Sequence, residues 1–439
     1  MRCTAAGGDG VPVLWLLHAQ LRPAVGGTLS NSDPGCLYSR HPRAPGHCCC
    51  VAGLQRLVLA VSFGGLVSPL DGVLAPLTQL TALTLTFAGG NAMPVPAGLR
   101  LTALRELTWS DGPQPSAHEL RSLLAPLTQL TALAAPIRVA GSCGLPELPS
   151  LQSLKVDGVA EGGLALLAGA CPALVSLTCT GCVTANVTDH AARLPALTRL
   201  DFPGARQLDD WVGEGGSLAG CAPALQSVCL GSFHSSPTAV ISKLAGLPQL
   251  HTFSLMSFRC WSLGARECQA LAALPALRSF AASVYLSEAS MLACASFCRQ
   301  LTQLHLCLGA HNDSVQLGAC VQFAAAMRMQ ASRVQVFHLT WSPTVAGNRK
   351  LPQLPTPFYQ HLASWSCLSH VELGVGCTAE QLSVLCASPS IVHVLVSPAR
   401  SQFGHDDGRS AALAASVAEL MHAHWGRELN IDLKWRVEC

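Results

Sequence analysis

Residues 151–179 read LQSLKVDGVAEGGLALLAGACPALVSLTC. A six-residue pattern, L-x-x-L-x followed by an apolar residue, occurs twice in this stretch, as LQSLKV from Leu151 and as LVSLTC from Leu174, 23 residues apart. In each copy the last two apolar positions alternate as they do in a short strand, and the first turns the chain into it. The intervening GGLALLAGA is rich in Ala and Leu and suits a short helix leading back to the next strand. A strand of this length cannot bury its apolar face alone, so the pattern predicts parallel strands stacked on a shared core.

Working outward, good copies begin at Leu54, Leu80, Leu104, Leu151, Leu174, Leu197, Leu225 and Leu250, and looser ones at Leu130, Leu277, Leu301, Val334, Leu368 and Ile391. The intervals run from 21 to 28 residues as far as Leu301, and the next two lengthen to 33 and 34. Fourteen copies make coincidence untenable. The expected architecture is an α/β leucine-rich repeat solenoid, a horseshoe with parallel strands on its concave side and short helices or irregular returns on its convex side. Helices are expected over Ser116–Pro126, Gly163–Ala170, Ala265–Leu274, Glu288–Phe297 and Ala379–Cys386, with Gly and Pro at the corners. Residues 1–50, rich in Gly, Pro and Cys, are expected to form an irregular or flexible N-terminal segment, residues 51–400 the solenoid, and residues 401–439 a C-terminal helix–strand cap. In that cap Arg409–Trp425 reads as a helix and Glu428–Trp435 as a last strand, with Leu429, Ile431 and Leu433 facing the core.

One repeat has a more specific character. CPALVSLTCTGCVTANVTD, from Cys171 to Asp189, resembles the cysteine-containing leucine-rich repeats of F-box substrate receptors and related adaptors. Cys171, Pro172, Leu174, Leu177 and Cys182 match that pattern, as do Val183 and Thr184, whereas Asp189 falls later than the family spacing. Other repeats depart from it: Ala88 and Gly112 stand where the cysteine after the strand would be, and the repeat from Leu225 keeps only Cys221. The resemblance implies an adaptor with a protein partner, and in its strongest form a Skp1-like adaptor and a ubiquitin-ligase receptor. Residues 12–21 provide one short apolar run where an F-box would begin, which does not make a convincing F-box.

Composition narrows the function. Charged residues are 12% of the 439 and the formal net charge is +2, too little for a field that steers nucleic acid or an anionic membrane. No apolar run approaches the ~20 residues that span a bilayer. The run from Val11 to Leu17 is preceded by Asp9 and by a single cationic side chain, Arg2, and is not read as a secretory signal. The 21 cysteines lack the tight spacing of a secreted disulfide scaffold and often occupy core positions, so they are read as reduced thiols in a cytoplasmic setting, with a cytoskeletal or ciliary axoneme location as the alternative. The Asn186 and Asn312 sequons do not change that reading. No phosphate loop, G-x-S-x-G elbow or C-x-x-C pair is present, and no metal or cofactor is expected.

The third, fifth and seventh residues of each repeat point away from the core. Early repeats place small or weakly charged residues there, with Lys155, Asp157 and Asp201 as secondary candidates for a binding face, and Trp109 is assigned to the core. Late repeats place His305, His338 and Glu372 at fifth positions and His370 and His393 at third positions. Parallel neighbours lie about 4.8 Å apart, so these five gather into one candidate protein-binding patch if the long return around Ser342–Phe358 does not interrupt the sheet. Imidazoles beside a carboxylate suit ordinary polar recognition, a pH-sensitive contact or a zinc-like ion. Ordinary recognition is favoured, because no closer ligand spacing supports a metal. The expected function is a non-catalytic protein-interaction scaffold. The alternatives are a ubiquitin-ligase substrate receptor with a degenerate F-box and a structural part of a cytoskeletal or ciliary assembly.

Overall fold

The computed structural model describes residues 55–62, 74, 77–88, 101–110, 114–160, 162–181, 194–202, 218, 223–231, 237–244, 246–256, 261–285, 288–308, 313–330, 332–341, 353–398, 415, 419 and 430–433. The expected segment 1–50 lies outside them, as does the helix expected over Arg409–Trp425 apart from Ala415 and Glu419, both helical. The chain divides into two compact units, Met1–Arg199 and Leu200–Cys439.

In the first unit, β1 (Arg56–Ser62), β2 (Ala82–Ala88), β3 (Glu106–Ser110), β4 (Ala132–Val139), β5 (Ser153–Val159) and β6 (Ser176–Cys179) pair in sequence order, every pair parallel. Between them run α1 (Ala117–Leu124) and α2 (Gly163–Ala170). Strand β7 (Arg199–Phe202) lies where the chain divides. The second unit contains β8 (Ser227–Gly231), β9 (Thr252–Met256), the two-residue β10 (Trp261–Ser262), β11 (Ser279–Tyr285), β12 (Gln303–Leu308), β13 (Val336–Trp341), β14 (His370–Cys377), β15 (His393–Pro398) and β16 (Asn430–Leu433). All pair in parallel, β9 directly with β11, and β10 extends along the far end of β11. Its helices are α3 (Pro237–Leu244), α4 (Ala265–Ala272), α5 (Glu288–Cys298), α6 (Asp313–Met329), α7 (Thr356–Ala363) and α8 (Ala379–Cys386). Each unit is therefore an α/β leucine-rich repeat stack.

The leucines make the turn into each strand. The amide of Leu104 donates to the Leu101 carbonyl, that of Leu130 to Leu127, and that of Leu151 to Leu148, each closing a four-residue turn with both leucine side chains buried. Cysteine takes the leucine slot twice, Leu174 donating to Cys171 and Leu301 to Cys298. Both thiols are buried, and burial pushes Cys171 up to about 12 and Cys298 well above the ordinary thiol range. The cysteine-rich repeat thus uses Cys171 as a small apolar side chain. All twelve cysteines among the described residues are free thiols.

A second element joins repeat to repeat. The carbonyl of the residue after the turn leucine accepts two amides from the next repeat: Gln55 from Thr81 and Ala82, Thr81 from Arg105 and Glu106, Thr131 from Gln152 and Ser153. The same pairing runs through the second unit, from Gln226 to Ser369. Where the donor residue is Thr or Ser, its hydroxyl adds a third bond, as Thr81 Oγ1 does to Gln55 at 2.9 Å and Ser369 Oγ to Gln335 at 3.1 Å.

Helices fill the other side of the core. Ser116 caps α1 with a reciprocal bond from Glu119, and Thr378 caps α8 in the same way with Gln381. The glycine pair that opens α2 has a steric cause: Gly162 sits at φ +72°, and a Cβ on Gly163 would collide with the Val139 carbonyl. The 33-residue interval after Leu301 holds the 17-residue α6, which sequence reading did not anticipate, as it did not anticipate α3 and α7. Trp365 ties this return down: its indole donates to the Ala324 carbonyl of α6 at 3.0 Å and its ring packs edge-on against Phe337 of β13. The long returns therefore leave the pairing of β12 through β15 unbroken.

Leu154 is 1% exposed at the centre of β5. Leu154→Ala is expected to destabilise the protein by about 2–5 kcal/mol, read as a lower midpoint in urea unfolding; a loss below about 0.5 kcal/mol would remove Leu154 from the core.

Candidate functional site

The register places the late candidates in two columns. Along the first, Ala281 pairs with His305, His305 with His338, and His338 with Glu372, followed by Leu395 and Asp432. Along the second, Gln303 pairs with Val336, Val336 with His370, and His370 with His393, followed by Asn430. Alternation along each strand buries Leu304, Leu306, Phe337, Leu339, Val371 and Leu373 and leaves the column residues on the opposite face. The spacing therefore brings the imidazoles together in two pairs. His305 and His338 meet edge to face with centroids 5.5 Å apart, and His370 and His393 stack at 5.6 Å.

Polar partners orient the rings. His338 Nδ1 lies 3.3 Å from Glu372 Oε2, an ion pair when the imidazole is protonated. His305 Nε2 lies 3.4 Å from Thr340 Oγ1, on the neighbouring strand and two residues further along. His370 Nδ1 lies 2.8 Å from Ser369 Oγ. The Ser369 hydroxyl lies between this ring and the Gln335 carbonyl, 3.1 Å away, and so links His370 to the backbone of the preceding repeat.

His305, like His338, Glu372 and His393, is half-buried. Burial holds its pKa below 6.5, the neighbouring His338 pushes the same way, and Glu372 opposes both. No group of three or more His, Cys, Asp or Glu side chains among the described residues has the arrangement to hold a metal ion.

The secondary candidates stand apart. Lys155 and Asp157 share the exposed face of β5, where Thr180 Oγ1 donates to Asp157 Oδ1 at 3.2 Å. Asp201 lies on β7 and has a side-chain oxygen shielded from solvent. Trp109 is 6% exposed and belongs to the core, as its place in the repeat implied. The repeat pattern did not single out the Thr and Ser hydroxyls that bond across repeats, although their recurrence just after the turn leucine, at Thr81, Thr131, Thr198 and Thr302, was a readable signal. Among the described residues no helix is long and apolar enough to cross a membrane.

No protein-family model matches the chain, and no curated protein matches it. Among solved structures, the mouse RP105/MD-1 complex is similar at 16% sequence identity and a TM-score of 0.45, over 75% of this chain and 52% of that one. This chain spans about half the length of the solved chain it matches.

The fold's preference for a neutral His305 sets a pH dependence. Because its folded pKa lies below its unfolded value, the unfolded chain binds the proton more readily, and the stability present above pH 6.5 is lost as the pH falls through the folded midpoint. His305→Gln is expected to flatten the decline of unfolding free energy on acidification below 6.5, measured by urea titration at several pH values. An unchanged slope would contradict it.

Proposed function

We propose that this chain is a non-catalytic protein-interaction scaffold that recognises its partner on the outward strand face of the second unit, around His305, His338, His370, Glu372 and His393. The observation that carries this reading is the in-register gathering of five polar, partly exposed side chains on four adjacent strands. Strand pairing and the leucine core fix the backbone beneath them, so little ordering entropy is lost on binding. Stacked imidazoles and a carboxylate offer aromatic surface and directional hydrogen bonds together, which is the mixture that recognition surfaces favour. The reading as a ubiquitin-ligase receptor depends on residues 1–50, which lie outside the described residues, and a cytoskeletal role is a choice of partner for the same face.

Photo-crosslinking tests the assignment. Benzoylphenylalanine in place of exposed Gln303 should capture a defined partner in the native cells. The same probe at Met329, which is 84% exposed at the end of α6, should not. Capture of the same proteins from both positions, or capture from Gln303 that survives combined His338→Asn and His370→Asn substitution, would contradict the proposal. A Skp1-like adaptor among the captured proteins would identify the receptor class.

A further inference from the structure

We infer that hydrogen peroxide converts Cys268 and Cys294 into a disulfide that staples helix α4 to helix α5. The inference goes beyond the proposed function and does not depend on where the chain meets its partner.

Helical spacing puts the two thiols on facing stripes. On α5, Cys294, Phe297 and Cys298 follow one another at three- and four-residue spacing and are all buried. On α4, Cys268 and Leu271 are buried at the same spacing. Two sets of contacts fix the helices in this rotation. Phe297 packs edge-on against Phe280 of β11, with ring centroids 5.1 Å apart. Gln300, just past α5, donates from Nε2 to the Leu271 carbonyl of α4 at 3.3 Å and to the Leu274 carbonyl at 3.2 Å. The helices held in this way bring Cys268 Sγ to 3.4 Å from Cys294 Sγ, and both are free thiols. A disulfide needs about 2.05 Å between its sulfurs, so the remaining approach of about 1.4 Å is within reach of side-chain rotation.

The contact also suits the chemistry. Hydrogen bonding from Cys294 holds Cys268 below the ordinary thiol range against its burial, while the same bond and burial push Cys294 well above it. Cys268 is therefore the first to react, since the thiolate is the nucleophile. Its sulfur attacks one peroxide oxygen, the O–O bond breaks and hydroxide leaves, giving a sulfenic acid. The Cys294 sulfur then displaces the sulfenic oxygen, which departs as water with the Cys294 proton. Two thiols are oxidised and one peroxide is reduced to two waters. Both cysteines lie in the outer helical layer, next in sequence to exposed Gln269 and near exposed Ser296, so local opening of a surface helix admits so small an oxidant. The bond would close a loop around β11, which lies between β9 and β12. It would restrain the unfolded chain and tie together two consecutive returns behind the sheet.

The test treats the folded 439-residue chain with hydrogen peroxide at neutral pH, alkylates the remaining thiols and digests with trypsin. Cleavage after Arg266, Arg278 and Arg299 leaves Cys268 alone in one peptide and Cys294 with Cys298 in the next. Mass spectrometry is expected to find these two peptides joined, lighter than their sum by the hydrogens lost in oxidation, with fragmentation placing the link on Cys294 and the alkyl group on Cys298. The oxidised protein should also unfold at a higher urea concentration, and dithiothreitol should remove both the link and the shift. The mapping uses the unsubstituted chain, so a variant that fails to fold cannot mask the result; Cys294→Ala should abolish the dithiothreitol-reversible shift. A link on Cys298 instead, or alkylation of both Cys268 and Cys294 after peroxide has oxidised the exposed Cys367, would overturn the inference. So would equal yield of the joined peptide from urea-unfolded protein, or a reversible shift that persists in Cys294→Ala.

Discussion

Among the described residues, the strand stack depends on one recurring carbonyl, that of the residue just after the turn leucine. It accepts two amides from the next repeat, and where Thr or Ser follows it accepts a hydroxyl as well. The bond pins the start of each strand to the start of its neighbour. Side chains alternate with a period of two, so a slip of one residue at this point would exchange core and surface along the whole strand. The leucine turns, the buried cysteines that replace leucine and the helices behind them all act to deliver each strand to that carbonyl in phase.

This constraint explains how the returns vary while the face stays regular. Repeats of 21 to 27 residues and the two of 33 and 34 begin their strands in the same way. The extra length after Leu301 goes into α6, which Trp365 fastens to the core through Ala324 and Phe337. Insertions behind the sheet leave the columns in front undisturbed, which is why residues as distant in sequence as His305 and His393 occupy adjacent parts of one surface.

Much of this was legible before the structure. The L-x-x-L-x-L spacing located the strands, and α2 and α8 fall at the bounds expected of them, because Gly162–Gly163 and the Thr378–Gln381 capping pair punctuate the sequence. Ile431 is 6% exposed, as its alternation in the last strand implied. The residues of the histidine columns followed from counting third and fifth positions. Helix α6 was hidden because its apolar residues are spread around the helix with no strong stripe, and β10 because a two-residue strand has no period. What counting could not supply was orientation. Which rings stack, that His370 meets the Ser369 hydroxyl, and that His338 meets Glu372 depend on side-chain angles and on hydroxyls outside the repeat pattern.

The account therefore rests on the register that brings the imidazoles together, and nuclear Overhauser contacts between ring protons in selectively histidine-labelled protein test it most directly. Cross-peaks are expected for His305 with His338 and for His370 with His393, whose ring centres are 5.5 and 5.6 Å apart. Absence of both, or contacts that join the rings in a different order, would contradict the register and the face built on it.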